Sequence, residues 1–199
     1  IPNFDYYLSD GVRKTFARRY RINVGKALEL LCGFENGEDT ARSIAEKILE
    51  EKDLKPILAF NNGYAEVEKE KLLSLGLDEK TAEHVQKFAF KEANHETDRA
   101  TYQAMEALVH NLNTMHSRAG AQVPFSSLNY GTDISPEGRM VTRNILLATK
   151  AGLGNGETPI FPIHIFKVKE GVNYNPGDPN YDLFKLAIEV SAKRLFPNF

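Results

Sequence analysis

Five histidines, two adjacent serines, one cysteine and one arginine-bearing loop are the groups in this 199-residue chain whose types suggest chemistry. His84, His95, His110, His116 and His164 show neither His-x-x-x-His nor His-Glu-x-x-His spacing, so they supply no helical pair of metal ligands. His164 lies in an apolar stretch and reads as a satisfied core histidine. Ser126 and Ser127 lack the glycine frame of a nucleophile elbow. Cys32 stands alone, which excludes an intrachain disulfide and a cysteine zinc cluster. It follows the apolar run from Ala27 to Leu31 and reads as a small buried hydrophobe. No catalytic residue and no metal ligand is assigned. What remains is binding chemistry. His116, Ser117, Arg118, Ala119, Gly120, Ala121 and Gln122 form a short loop. Gly120 can take a positive φ or admit a close backbone, and Arg118 and Gln122 are its reaching groups. A guanidinium suits planar or phosphate partners.

Two elements must hold that loop. Before it, Tyr102, Met105, Leu108, Val109, Leu112 and Met115 recur at spacings of three and four, which predicts a helix with one apolar stripe. From Thr101 to Ser117 the one acidic or basic residue short of the loop is Glu106, although 26% of the chain is charged. Gln103, His110, Asn113, Thr114 and Ser117 give the other face neutral hydrogen-bonding groups. Two readings stay open for that face: packing against another helix, as at a dimer interface, or contact with a ligand. After the loop, Val123 to Tyr130 reads as a strand, with Pro124 at its beginning or edge. Alternation places Phe125, Ser127 and Asn129 on one side and Ser126, Leu128 and Tyr130 on the other. Ser127 and Asn129 are the candidate substrate-facing pair.

The string HNLNTMHSRAGAQVPFSSLNYGTD resembles the central segment of the anaerobic (class III, glycyl-radical) ribonucleoside-triphosphate reductases. The likeness continues through SPEGRM, LGNGETPIFP, VKEGVNYNPGDPNYDLFKLA and SAKRLFPNF, and IPNFDYYLSDGVRKTFARRY resembles the family as well. Residues 32–84 match it loosely. The resemblance implies a ten-stranded α/β barrel of two parallel half-barrels, of which this chain would be an internal piece. It implies reduction of a ribonucleoside triphosphate by glycyl and thiyl radical chemistry, with formate or a thiol as reductant. The thiyl cysteine would follow Phe199 and the second cysteine would precede Ile1. The radical glycine and a zinc site would lie near the family's C-terminus. It further implies nucleotide effectors (ATP and deoxyribonucleoside triphosphates), a homodimer, a radical-SAM activating enzyme and a cytoplasmic location. By its position and its Gly, Arg and Gln content, the loop from His116 to Gln122 resembles the family's specificity loop.

The remaining residues set the frame. Hydrophobic content of 42% is that of a globular chain with a real core. A net charge of -2 gives no electrostatic footprint for nucleic acid, and no apolar run approaches a membrane span. Both ends of the chain read as cut. Residues 1–95 read as mostly helical lead-in, and residues 96–199 as alternating helix and strand, which argues an α/β fold with largely parallel strands. Ile1 to Leu8 reads as extended, and Ser9 or Asp10 as the cap of a helix to about Leu31. That helix carries Arg13, Lys14, Arg18, Arg19 and Arg21, which either meet phosphates or form a solvated face. Leu54 to Phe60 reads as a short strand. Gly76 closes one helix and Asp78 caps the next. Asn94 to Asp98 is a kink or a loop. Ser135-Pro136-Glu137 is a helix start. The glycine-rich turn from Gly152 to Gly156 reads as a connection, because no Gly-Lys-Ser/Thr follows it. Pro159 to Val168 reads as a buried strand, and Asp178 or Asn180 as the cap of a last amphipathic helix. Two other classes compete: a catalytically inert nucleotide-binding or structural fragment, and a different α/β barrel enzyme such as a hydrolase. The second lacks a pair of carboxylates placed at strand ends.

Overall fold

A computed structural model describes residues 1–115 and 122–199. The elements, in order, are α1 (Phe4–Cys32), α2 (Gly37–Lys52), α3 (Tyr64–Ser74), α4 (Glu79–Thr114), β1 (Ser127–Tyr130), α5 (Pro136–Ala151), β2 (Ile163–Phe166) and α6 (Tyr181–Arg194). They group into two compact units, Ile1–Val12 with Asp98–Phe199, and Arg13–Thr97. The unit boundaries fall inside α1 and α4. The architecture is helix-rich α/β, and among the described residues its sheet has two parallel strands.

In the strand-bearing unit, β1 and β2 pair in register from Ser127 opposite Ile163 to Tyr130 opposite Phe166. Parallel neighbours cannot be joined by a tight turn, and α5 supplies the crossover. Leu128, Tyr130, His164 and Phe166 point into the core, while the residues between them are half-buried. Both flanks of the pair are taken by single residues. Ile1 donates its N–H to Ser127 O at 2.6 Å and accepts from Asn129 N at 3.0 Å. Asn198 donates to His164 O at 2.9 Å and accepts from Phe166 N at 2.8 Å, in a parallel bridge. Helix α5 starts where local chemistry says it should: Ser135 Oγ accepts from Gly138 N at 3.1 Å, and Pro136 occupies the first turn. Val141, Ile145 and Leu146 of α5, with Leu183, Ala187 and Val190 of α6, complete the core.

The helical unit is built on aromatic contacts. Phe16, Tyr20, Phe60, Tyr64 and Phe90 form a chain of rings whose neighbouring centroids lie 5.1 to 6.0 Å apart. Ile44, Ile48, Leu72, Val85 and Ala89 pack around it. Gly25 lets α1 and α2 touch: a Cβ there would lie 2.7 Å from Glu38 Cα. Asp78 Oδ1 accepts from Thr81 N at 2.8 Å, as its reading as a cap requires, and Gly76 takes φ +89° beyond α3.

Five local expectations are corrected. The first helix begins at Phe4 rather than after Ser9, because Asp5 gains a distant partner (below) and an acid in the first turn suits the dipole. Leu54 to Phe60 is not a strand. No strand neighbours it within its unit, so Phe60 N closes a turn onto Ile57 O at 3.0 Å and the apolar side chains enter a helical core. Residues 94–98 do not form a loop. No Gly or Pro interrupts residues 79–114, and α4 runs through them. The strand expected over Pro159 to Val168 shrinks to Ile163–Phe166, since Pro159 and Pro162 cannot donate to a ladder. Cys32 is half-buried rather than part of the core.

Candidate functional site

Part of the polar α4 face read from the sequence lines a cavity. Gln103, Glu106, His110 and Asn111 of α4 face Gly152, Gly154 and Gly156 of the turn after α5 across a volume of about 510 Å³. All of these residues belong to the strand-bearing unit. The wall offers two amides, an imidazole and one carboxylate, which suits hydroxyl and base-edge hydrogen bonding rather than charge neutralisation. Tyr102, one turn from Glu106, has its phenol pushed up by burial and by the Glu106 charge.

The opposite wall is held by an arginine that the sequence did not single out. Arg194 ends α6, is 7% exposed and makes five hydrogen bonds. Nε and Nη2 donate to Lys150 O at 3.1 and 2.8 Å, and Nη2 also donates to Ala151 O at 2.9 Å. Nη1 donates to Gly156 O at 2.8 Å and to Thr158 Oγ1 at 3.2 Å. The guanidinium thus satisfies the last carbonyls of α5, where a cation also complements the helix dipole. Gly152 makes this possible. Its φ is +86°, and an added Cβ would lie 2.6 Å from Glu157 O and 2.7 Å from Arg194 Nη2. The glycine turn is therefore a fastened wall of the cavity as well as a connection.

Asn113 does not share the role of Gln103 and His110. Its Nδ2 donates to Phe161 O and Val109 O, both at 2.6 Å, and its Oδ1 accepts from Ile160 N at 2.7 Å and Phe161 N at 3.1 Å. The side chain is spent on fixing the segment that enters β2. Thr114 Oγ1 donates back to His110 O at 2.9 Å.

Beyond β1 the turn is fixed by buried polar groups. Asp5 Oδ2 accepts from Gly131 N at 2.9 Å and Asp133 N at 3.0 Å. Asn173 Nδ2 donates to Gly131 O and Lys167 O, both at 2.8 Å, and Asn180 Nδ2 to Asp133 O at 2.9 Å. His164 lies between the Tyr130 hydroxyl, 3.1 Å from Nδ1, and Thr149 Oγ1, 3.3 Å from Nε2. Burial lowers its pKa to about 4, so it is a neutral core histidine, as its surroundings in the sequence suggested.

Ser127 and Asn129 share the half-buried face of β1, two residues apart, with Leu128 and Tyr130 turned the other way. Gln122 is exposed. His116, Ser117, Arg118, Ala119, Gly120 and Ala121 lie outside the described residues. Among the described residues no three His, Cys, Asp or Glu side chains are grouped to hold a metal, and no helix is long and apolar enough to cross a membrane.

The parallel strand–helix–strand unit with a polar cavity beside it is an α/β arrangement, and comparison with known proteins gives it a family. The family model for anaerobic ribonucleoside-triphosphate reductase matches residues 1–199. The chain is 39% identical over 107 residues to the anaerobic ribonucleoside-triphosphate reductase of Escherichia coli (strain K12), covering 53% of this chain and 15% of that protein. It is 40% identical over 111 residues to the enzyme of the same name from Enterobacteria phage T4, covering 55% of this chain and 18% of that protein. The Haemophilus influenzae counterpart is 38% identical over 102 residues, 51% of this chain and 14% of that protein. The chain belongs to the anaerobic ribonucleoside-triphosphate reductase family. It spans between 14% and 18% of the length of these relatives.

Proposed function

We propose that this chain serves the reduction of ribonucleoside triphosphates to their 2′-deoxy forms, as barrel scaffold and as the part that reads nucleotide identity. The observation that carries this reading is the cavity. Its α4 wall, in which Glu106 is the one charged group, ends at Asn111, five residues before His116, so the loop is the next segment of the chain after that wall. Gln103 and His110 receive the sugar or base of an effector such as ATP or a deoxyribonucleoside triphosphate. Arg118 and Gln122 relay its identity, and Ser127 and Asn129 face the substrate. Support for a barrel comes from the two parallel strands, their helical crossover and the Ile1 and Asn198 pairings outside them. Ten strands closed into two half-barrels would continue that order. The homodimer, the radical-SAM activating enzyme and the formate or thiol reductant belong to the same proposal.

The described residues offer no donor set for the family's zinc and no cysteine at the cavity or on β1. We place the glycyl and thiyl radical steps, as the family resemblance implies, on polypeptide other than residues 1–199. The chemistry of this chain is binding and orientation.

The test is substrate choice in the full reductase. Arg118→Ala and Gln122→Ala are expected to change which ribonucleotide is preferred under a given effector. Gln103→Ala and His110→Ala are expected to weaken effector binding by about tenfold, the worth of one or two hydrogen bonds. Wild-type preference and wild-type effector response across all four variants would refute the assignment.

A further inference from the structure

Lys14, Arg18 and Arg21 follow one another at spacings of four and three along α1, which places them on one helix face. In the helical unit that face borders a cavity of about 390 Å³. Lys55 joins it from the segment after α2, a placement that no helical periodicity could show. The floor is apolar, from Leu49, Leu54 and Pro56. Against these four cations, Glu46 is the one acidic residue lining the space among the described residues.

Two observations separate this cluster from an ordinary solvated helix face. The first is pairing. Neighbouring cations of the same unit have acids: Arg19 lies 3.7 Å and Lys26 3.5 Å from Glu96, Lys69 lies 2.7 Å from both Glu79 and Glu83, and Lys71 2.7 Å from Glu51. Arg18, Arg21 and Lys55 have no such partner among the described residues. The second is an unmet donor. Arg21 Nε is shut off from solvent and makes no hydrogen bond among the described residues. Its charge also acts on the Tyr64 phenol, which lines the same cavity. A buried donor without an acceptor costs free energy, and an anionic ligand would supply the acceptor.

We propose that this cavity binds a small molecule bearing a di- or triphosphate, its oxygens meeting Lys14, Arg18, Arg21 and Lys55 and its organic part resting on the apolar floor. Cations spread over two turns, about 10 Å along the axis, exceed what one carboxylate can satisfy. Several linked phosphates present enough acceptors, and guanidinium forks match them. The volume falls within the usual range for small-ligand sites. The proposal is independent of the reading of the α4 cavity, which involves other residues in the other unit.

The test uses the whole protein and sodium tripolyphosphate, with hydrogen exchange followed segment by segment. Tripolyphosphate is expected to protect amides in residues 14–21 and 49–57. Arg18→Gln with Lys55→Gln removes two exposed charges and should leave the fold intact. This double variant is expected to bind at these segments about tenfold or more weakly, as loss of charge-assisted contacts implies. Arg42→Gln, whose charge is already paired with Glu38 and Asp39, should behave as wild type. Absence of protection at millimolar tripolyphosphate would overturn the proposal and return the cluster to a solvated basic face. So would equal protection in the double variant.

Discussion

The two units bury polar side chains in different ways. In the strand-bearing unit, Asp5, Asn113, Asn173, Asn180 and Arg194 spend most of their hydrogen bonds on backbone groups of loops and helix ends. In the helical unit the main buried polar group is a carboxylate held largely by other side chains. Glu68, 2% exposed, accepts from the Tyr20 hydroxyl at 2.5 Å and from Gln86 Nε2 at 2.9 Å, with Tyr64 as a further donor. The first arrangement fastens irregular chain at a fixed position, which a binding site requires. The second fixes the register of helices against one another without shaping a loop. The difference locates the positional demand of this protein around β1, β2 and the glycine turn.

Removing Arg194 should break that contrast most severely. Arg194→Ala strips partners from the carbonyls of Lys150, Ala151 and Gly156 at once. A loss of about 3 kcal/mol or more is expected from denaturant unfolding, given about 1–3 kcal/mol for each unsatisfied buried group. Arg194→Lys keeps the charge without the fork and should recover only part of it.

The pH responses of the two units should run in opposite directions. His164 is held neutral, its pKa lowered to about 4 from 6.5 by burial. A depressed folded pKa contributes stability that is present above pH 6.5 and is lost as pH falls towards 4. Over that window the strand-bearing unit should lose roughly 3 kcal/mol relative to a His164→Gln variant. Hydrogen exchange at the β2 amides reads this directly, and parallel profiles for the two proteins would contradict a neutral buried imidazole.

Gly152→Ala sharpens the comparison from the backbone side. The positive φ and the approach of Glu157 O and Arg194 should cost about 2 kcal/mol, measured as a lower unfolding midpoint. The loss should fall in the strand-bearing unit alone.

The smallest effect is expected at Glu68. Burial pushes its carboxyl up from 4.5, outweighing the hydrogen bonds from Tyr20, Gln86 and Tyr64 that pull it down. A raised folded pKa contributes stability that is full below pH 4.5 and is lost as pH climbs through the raised value. The helical unit should therefore weaken with rising pH relative to Glu68→Gln, read at the α3 amides. An unchanged difference between the two proteins across that range would mean that Glu68 carries its charge in the core.

Much of this was legible before any coordinates. The Ser135 cap, the Asp78 cap, the stop at Gly76 and the amphipathic α6 follow from short-range rules, because the groups that satisfy each other lie within a few residues. The neutral environment of His164 was legible from its apolar neighbours. The beginning of α1 was not, because Asp5 finds its partners at Gly131 and Asp133, more than 120 residues away. The turn at residues 54–60 was misread for a related reason. Its composition is that of a strand, but a strand needs an edge to pair with, and its unit provides none.

Taken alone, the order of residues determined the helix periodicities, the caps, the strand–helix–strand alternation and the strings that match the reductase family. These depend on spacing along the chain, which the sequence states outright. Tertiary structure decided which polar residues became fasteners and which stayed available. Asn113 and His110 look alike on a helical wheel, yet one is consumed by the backbone of Ile160 and Phe161 and the other lines a cavity. Lys55 likewise joins the basic face of α1 only through folding. Hydrogen bonds and charges act over a few ångströms in space, and separation along the chain does not report that distance.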